Sequence, residues 1–100
     1  MKYSIVLTPD ADADIGSGFS WYHRIAPNLA LRFVSEGRAT MDHIAEFPYR
    51  FQLVNGDVRR ARLKRFPYNI YYSLDNDEEI ITAILHRRRS DEIWKQRSGH

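Results

Sequence analysis

Two periodicities divide the chain. A short apolar run, Ile5-Val-Leu7, ends at Thr8-Pro-Asp10 and reads as a first β-strand. Apolar residues then recur at helical spacing as Ile15, Phe19, Tyr22 and Ala26, which predicts an amphipathic helix to roughly residue 25. Asp10 or Asp12 is the expected cap, with Asp14 adding charge that suits the positive helix start. Gly16 and Gly18 weaken the helix, each by about 1 kcal/mol relative to alanine. Pro27 breaks the pattern and suits the first turn of a second helix, whose inward face is Ala30, Phe33 or Val34, Gly37, Met41, Ile44 and Ala45. Gly37 is the position expected to allow close approach within this helical hairpin. Glu46-Phe-Pro48 ends it, because proline disfavours helical geometry in the residue before it.

From Phe51 the period becomes strand-like. Asn55-Gly56-Asp57 is a turn signal leading into a strand over 58–66, in which Arg60, Arg62 and Lys64 share the face opposite Ala61 and Leu63. Pro67 limits the join to a strand over 68–74, with Ile70, Tyr72 and Leu74 in one row and Asn69, Tyr71 and Ser73 in the other. Asp75-Asn-Asp77 turns into the near-continuously apolar segment 79–86, which predicts a central strand covered on both faces. Short turns make these three strands an antiparallel meander. Ser90 is placed to cap a final helix to Arg97, with Ile93 and Trp94 available for docking. The expectation is an α+β, two-layer fold of order β-α-α-β-β-β, a helical hairpin packed on a mainly antiparallel sheet with a short C-terminal helix. At 100 residues, one domain spanning 1–100 is expected.

Charge adds a second pattern to this frame. The net charge of +2 is strongly segregated: residues 1–49 carry four Lys/Arg and six Asp/Glu, residues 50–65 carry six Lys/Arg against Asp57 alone, residues 66–85 carry four acids and no base, and residues 86–100 carry five bases and two acids. Clustered arginine focuses a positive potential that attracts phosphates or carboxylates. The plainer reading is a solvated face with ordinary salt bridges to Asp75, Asp77, Glu78 and Glu79. The absence of cysteine fits a reducing compartment and a cytoplasmic location, and the N-terminal run is too short for a signal h-region or a membrane span.

The principal candidate surface is therefore Arg60, Arg62, Lys64 and Arg65 with Arg87, Arg88 and Arg89, whose guanidinium forks suit phosphate or an acidic partner. Tyr71 is the candidate exposed ring for base stacking, with a cross-strand contact as its structural alternative; Tyr72 belongs to the core row. Trp94 is assigned first to packing of the terminal helix and second to stacking. His86, beside three arginines, is the candidate proton-transfer group for phosphodiester cleavage, with Arg65 binding the phosphate. His23 and His43 lie in predicted helices without metal-ligand company, so no metal is expected. Gly16-Ser-Gly18 lacks the lysine and spacing of a phosphate loop, and no cofactor is expected.

The chain resembles the ParE/RelE toxin superfamily, in its ParE-like plasmid-stabilisation branch. The residues carrying the resemblance are Phe19-Ser-Trp-Tyr22, Pro27-x-Leu29, Arg32-Phe33 and Ile44-x-x-Phe-Pro48. They continue with Val58-Arg-Arg60, Leu63-x-Arg65-Phe-Pro-Tyr68-x-Ile70-x-Tyr72, Ile84-Leu-His86-x-x-Arg89 and Trp94. The resemblance implies the toxin of a type II toxin–antitoxin pair, neutralised by a cognate antitoxin with a flexible acidic tail, with DNA gyrase as the target of the ParE-like branch. The RelE-like alternative is a ribosome-dependent endonuclease acting on ribosome-bound mRNA. It implies catalytic roles for Arg65 and His86 and commonly a C-terminal catalytic aromatic, whereas this chain ends Lys-Gln-Arg-Ser-Gly-His100 after Trp94. His86 or His100 is then the available acid-base group. A third reading is a non-toxic basic adaptor that keeps only partner binding. No membrane role is expected.

Overall fold

A computed structural model describes residues 2–98. Its elements are β1 (Ser4–Leu7), α1 (Pro9–Ile25), α2 (Pro27–Glu46), β2 (Gln52–Asn55), β3 (Val58–Arg62), β4 (Tyr68–Asp75), β5 (Glu78–His86) and α3 (Ser90–Ser98). They form the expected α+β arrangement of helical hairpin, sheet and short terminal helix, with one strand more after the hairpin than the meander predicted. The extra strand, β2, is short and pairs antiparallel with β3 across the Gly56 turn, where Gly56 takes φ +54°. Sheet order is β1-β5-β4-β3-β2, antiparallel throughout except that β1 runs parallel to β5.

Thr8, not Asp10 or Asp12, caps α1: its hydroxyl accepts from Ala11 N at 3.2 Å and donates to the Ile81 carbonyl at 3.0 Å. The cap thus fastens the helix start to β5 while Pro9 occupies the first turn, where a missing N–H costs nothing. Ala26, in extended geometry, ends α1 and precedes Pro27 at the start of α2.

The hairpin buries Ala11, Tyr22, Ala30, Phe33, Met41 and Ile44 against Ala61, Ile70, Tyr72, Ile81 and Ile84 of the sheet and Leu63 just beyond β3. The close approach expected of Gly37 falls instead at Gly18. A Cβ on Gly18 would lie 2.6 Å from the Phe33 ring, whereas one on Gly37 would meet nothing within 4 Å. Gly18 lets the Phe33 ring settle into an aromatic cluster with Tyr22, Phe66 and Tyr68, at centroid separations of 4.8–6.1 Å.

The other face of the sheet is covered as well. Alternate side chains Val58, Tyr71, Ala83 and Leu85 pack with Ile93 and Trp94 of α3. The two rows expected along β4 are present, but the second faces α3, not water. Tyr71 is fully buried and stacks on Trp94, with centroids 5.2 Å apart and planes at 13°. The base-stacking role considered for Tyr71 and Trp94 is therefore corrected: each ring is the other's partner.

Candidate functional site

β1 is only four residues long and covers β5 from Glu78 to Ile81. Beyond that point the outer edge of β5 is finished by side chains. Asp14 Oδ2 accepts from Ile84 N at 3.0 Å. Arg97 of α3 donates to the Thr82 carbonyl at 3.2 Å and grips both Asp14 oxygens, at 2.6 and 3.2 Å. Asp10 adds a longer ion pair to Arg97 at 3.6 Å. Asp14, expected as first-turn charge, thus satisfies a backbone N–H that would otherwise be stranded and ties α1, β5 and α3 together. Mutual stabilisation raises the Arg97 pKa further above its ordinary range, chiefly through the hydrogen bond to Asp14.

These contacts wall a cleft of about 640 Å³ between α1 and the end of β5. Its lining includes the buried Gly18, Tyr68, Ile84 and Leu85, half-buried Ile93, and the exposed Trp21, Arg24, Arg88 and Arg89, with His86 at one side. Trp21 is 55% exposed and Arg24 lies 5.7 Å from its ring centroid. Trp21 and Arg24 were not singled out from the sequence. Their signal was there: a tryptophan one position out of phase with the Ile15, Phe19, Tyr22 stripe must point away from the core.

His86 is the last paired position of β5, opposite Tyr68. Its Nδ1 accepts from Arg88 N at 3.2 Å, and its ring meets Tyr68 edge-on at a centroid distance of 5.4 Å. Burial, and then Arg88, Arg87 and Arg89, hold its pKa below the ordinary imidazole value. The ring is accordingly neutral at pH 7 with its proton on Nε2. The turn that follows is pinned by Arg87 N on the Pro67 carbonyl at 2.8 Å and Arg89 N on the His86 carbonyl at 2.9 Å.

The seven expected cations do not form one surface. Arg60 and Arg62 pair across from Tyr71 and Asn69 and so lie on the α3 side, Arg60 donating to Gln52 Oε1 at 3.1 Å. β3 ends at Arg62, leaving exposed Lys64 and Arg65 in the loop that follows. The Arg65 backbone donates to Glu36 Oε2 at 2.8 Å, and its side chain lines a separate groove of about 310 Å³ with Leu29, Arg32 and Glu36. Only Arg88 and Arg89 join His86 in the main cleft. Arg65 and His86 thus line different depressions, and His100 lies outside the described residues, as does the side chain of Ser90. Among the described residues no three His, Asp or Glu side chains gather as a metal site, and no helix is long and apolar enough to cross a membrane.

The arrangement defines a small α+β protein with a cation-rimmed cleft. A chain from the chromosomal ParDE TA system of P. aeruginosa superposes with a TM-score of 0.76 at 20% identity, over 85% of this chain and 96% of that one. The family model for the ParE toxin of type II toxin-antitoxin system, parDE, matches residues 5–91, and the chain belongs to that family. No curated protein matches the sequence.

Proposed function

We propose that this ParE-family chain is a growth-inhibiting toxin neutralised by a cognate antitoxin with a flexible acidic tail, and that it arrests growth by binding DNA gyrase without cutting RNA. The observation that carries the choice against cleavage is the state of His86. Activating a ribose 2′-hydroxyl requires a free imidazole lone pair, and the Nδ1 lone pair of His86 is occupied by Arg88 N. Its lowered pKa also makes it a poor stored acid, and Arg65 lines another groove. A binding role needs only a fixed, charged cleft, and the pinned turn carrying Arg88 and Arg89 supplies one.

The test is brief induction of the chain in cells lacking its antitoxin, with primer extension on cellular mRNA and a DNA supercoiling assay with purified gyrase. Growth arrest with loss of supercoiling and no discrete cuts is expected, unchanged in His86→Ala. Ribosome-dependent cuts abolished by His86→Ala would replace this reading with the endonuclease. A folded chain that arrests nothing would leave the adaptor.

A further inference from the structure

The exposed charges of this chain are sorted to opposite ends of its sheet. One end carries Asp57 in the β2–β3 turn and Asp75, Asp77 and Glu78 at the β4–β5 turn, all exposed. These two turns lie at the same end because β3 and β5 both run antiparallel to β4. At the other end the loop 63–67 meets the turn after β5 through Arg87 N on the Pro67 carbonyl at 2.8 Å. The tip of the helical hairpin packs there too, with Tyr22 and Phe33 against Phe66 and Tyr68. Segments far apart in sequence thus bring exposed Arg24, Arg32, Lys64, Arg65, Arg88 and Arg89 to one end. The two depressions share the segment 66–68 as their divider: Tyr68 lines the one with Arg24, Arg88 and Arg89, and Phe66 the one with Arg32 and Arg65. Among the described residues none of these six cations forms an ion pair. The carboxylates that line the depressions are already engaged, Asp14 by Arg97 and Ile84 N, and Glu36 by Arg65 N. A cationic end set against an acidic one steers a polyanion toward it before contact. We propose that this end of the molecule binds double-stranded DNA through its phosphates, without reading sequence, as a contact additional to the protein target proposed above.

A duplex presents one negative charge per about 1.7 Å of its axis, dense enough to meet cations held on three separate pieces of the chain. Single strands are held chiefly by stacking on exposed rings. The rings at this end are spent: Tyr22, Phe33, Phe66 and Tyr68 are buried on one another, and exposed Trp21 has Arg24 5.7 Å from its ring centroid. Duplex RNA is recognised in good part through its 2′-hydroxyls, and no asparagine or glutamine lines either depression. Base edges are reached by an element that enters the major groove, whereas the hairpin ends here in a blunt turn at Ala26 and Pro27. Phosphate contact is what remains, and it supplies affinity without sequence information.

Fluorescence anisotropy of the full chain tests it, with two short DNA duplexes of unrelated sequence, oligothymidylate, an RNA duplex and poly-glutamate as labelled probes, each over a range of salt concentrations. The two DNA duplexes should bind alike and more tightly than the other probes, with an affinity that falls steeply as salt rises. Lys64→Ala with Arg65→Ala, and Arg88→Ala with Arg89→Ala, should each reduce the slope of log affinity against log salt by about 2, one for each lost phosphate contact. Arg50→Ala removes an exposed cation beyond the far end of α2 and should leave the slope unchanged. These side chains are exposed, so the variants should fold, and circular dichroism verifies it. No duplex binding at low salt, tighter binding of oligothymidylate, RNA duplex or poly-glutamate, discrimination between the two DNA sequences, a slope insensitive to both double substitutions, or an equal change in Arg50→Ala each overturns the proposal. The wild-type comparisons decide even where a variant misfolds. Gyrase is absent from the measurement, so the two readings fail separately: supercoiling lost without duplex binding overturns this proposal alone, and duplex binding without growth arrest overturns the toxin reading alone.

Discussion

Glu79 is fully buried, and neither carboxylate oxygen has a hydrogen-bond partner. It occupies the helix-facing row of β5 two residues before Ile81, between Ile5 of β1 and Leu74 of β4 in the strand register. Burial first, and the Asp42 carboxylate second, push its pKa from the usual 4.5 up to about 8. The native chain therefore holds a proton that the unfolded chain releases above pH 4.5. For such a group the stabilising contribution is complete below pH 4.5, declines as pH rises, and is exhausted above pH 8. At 1.36 kcal/mol per unit, the loss is about 3 kcal/mol by pH 7 and approaches about 5 kcal/mol by pH 8. Glu79→Gln keeps the shape and removes the titration. Urea unfolding of the two proteins should give similar stabilities near pH 4.5 and an advantage to the variant that widens to several kcal/mol at pH 8. Taking the difference between the two curves cancels every other titrating group that behaves alike in both. Parallel curves across this range would refute the assignment of a buried proton to Glu79. Asp42→Asn supplies an internal check: removing the second cause lowers the folded-state pKa of Glu79, so the decline should still begin near pH 4.5 but end at a lower pH and be smaller in total.

Other expectations concern packing and the terminal helix. Gly18→Ala should destabilise by about 1–3 kcal/mol because its methyl overlaps Phe33, with much of the loss restored by Phe33→Leu. Gly37→Ala should instead stabilise by about 1 kcal/mol, since the site is open and lies in a helix interior; thermal unfolding reads both. Arg97→Met should cost about 3 kcal/mol by leaving Asp14 without its cation, while Asp14→Asn with Arg97→Met should cost less than the sum of the single changes. Near-ultraviolet circular dichroism should register the loosened Tyr71–Trp94 stack in the Arg97 variant.

Helix boundaries were legible because proline and period agree: Pro9, Pro27 and Pro48 punctuate two apolar stripes, and the buried residues of α2 are those whose spacing predicted them, with Phe33 inward and Val34 outward. The rows of β4 were legible for the same reason. What alternation does not contain is whether the second row meets water. Nine residues at the end of the chain decide that, and only Ile93 and Trp94 hint at it. The basic stripe was legible as composition but not as a surface, because β3 stops at Arg62 and the chain turns Arg65 toward α2. Glu79 stands both among the acids offered as ordinary salt-bridge partners and at the start of the apolar segment 79–86, so its sequence context is two-sided; its burial arises from strand phase and from the parallel β1, a contact between residues far apart in sequence.

The cleft and the completion of the sheet have one cause. Had β1 continued past Leu7, it would have paired with the second half of β5, and neither Asp14 nor Arg97 would have had a backbone group to satisfy there. Because it stops, α1 passes beside an open strand edge, Asp14 turns inward to meet Ile84 N, and the part-buried carboxylate is in turn matched by a cation. Arg97 supplies it, and doing so holds α3 over Tyr71 on the far face while its own stem forms one wall of the cleft. Stability and recognition can therefore be separated by position. Substitutions at Asp14 or Arg97 should alter α3 docking and cleft shape together, whereas substitutions at the exposed Arg24, Arg88 or Arg89 should change the charge of the cleft and leave the unfolding free energy nearly untouched, because those guanidinium groups close no ion pair among the described residues.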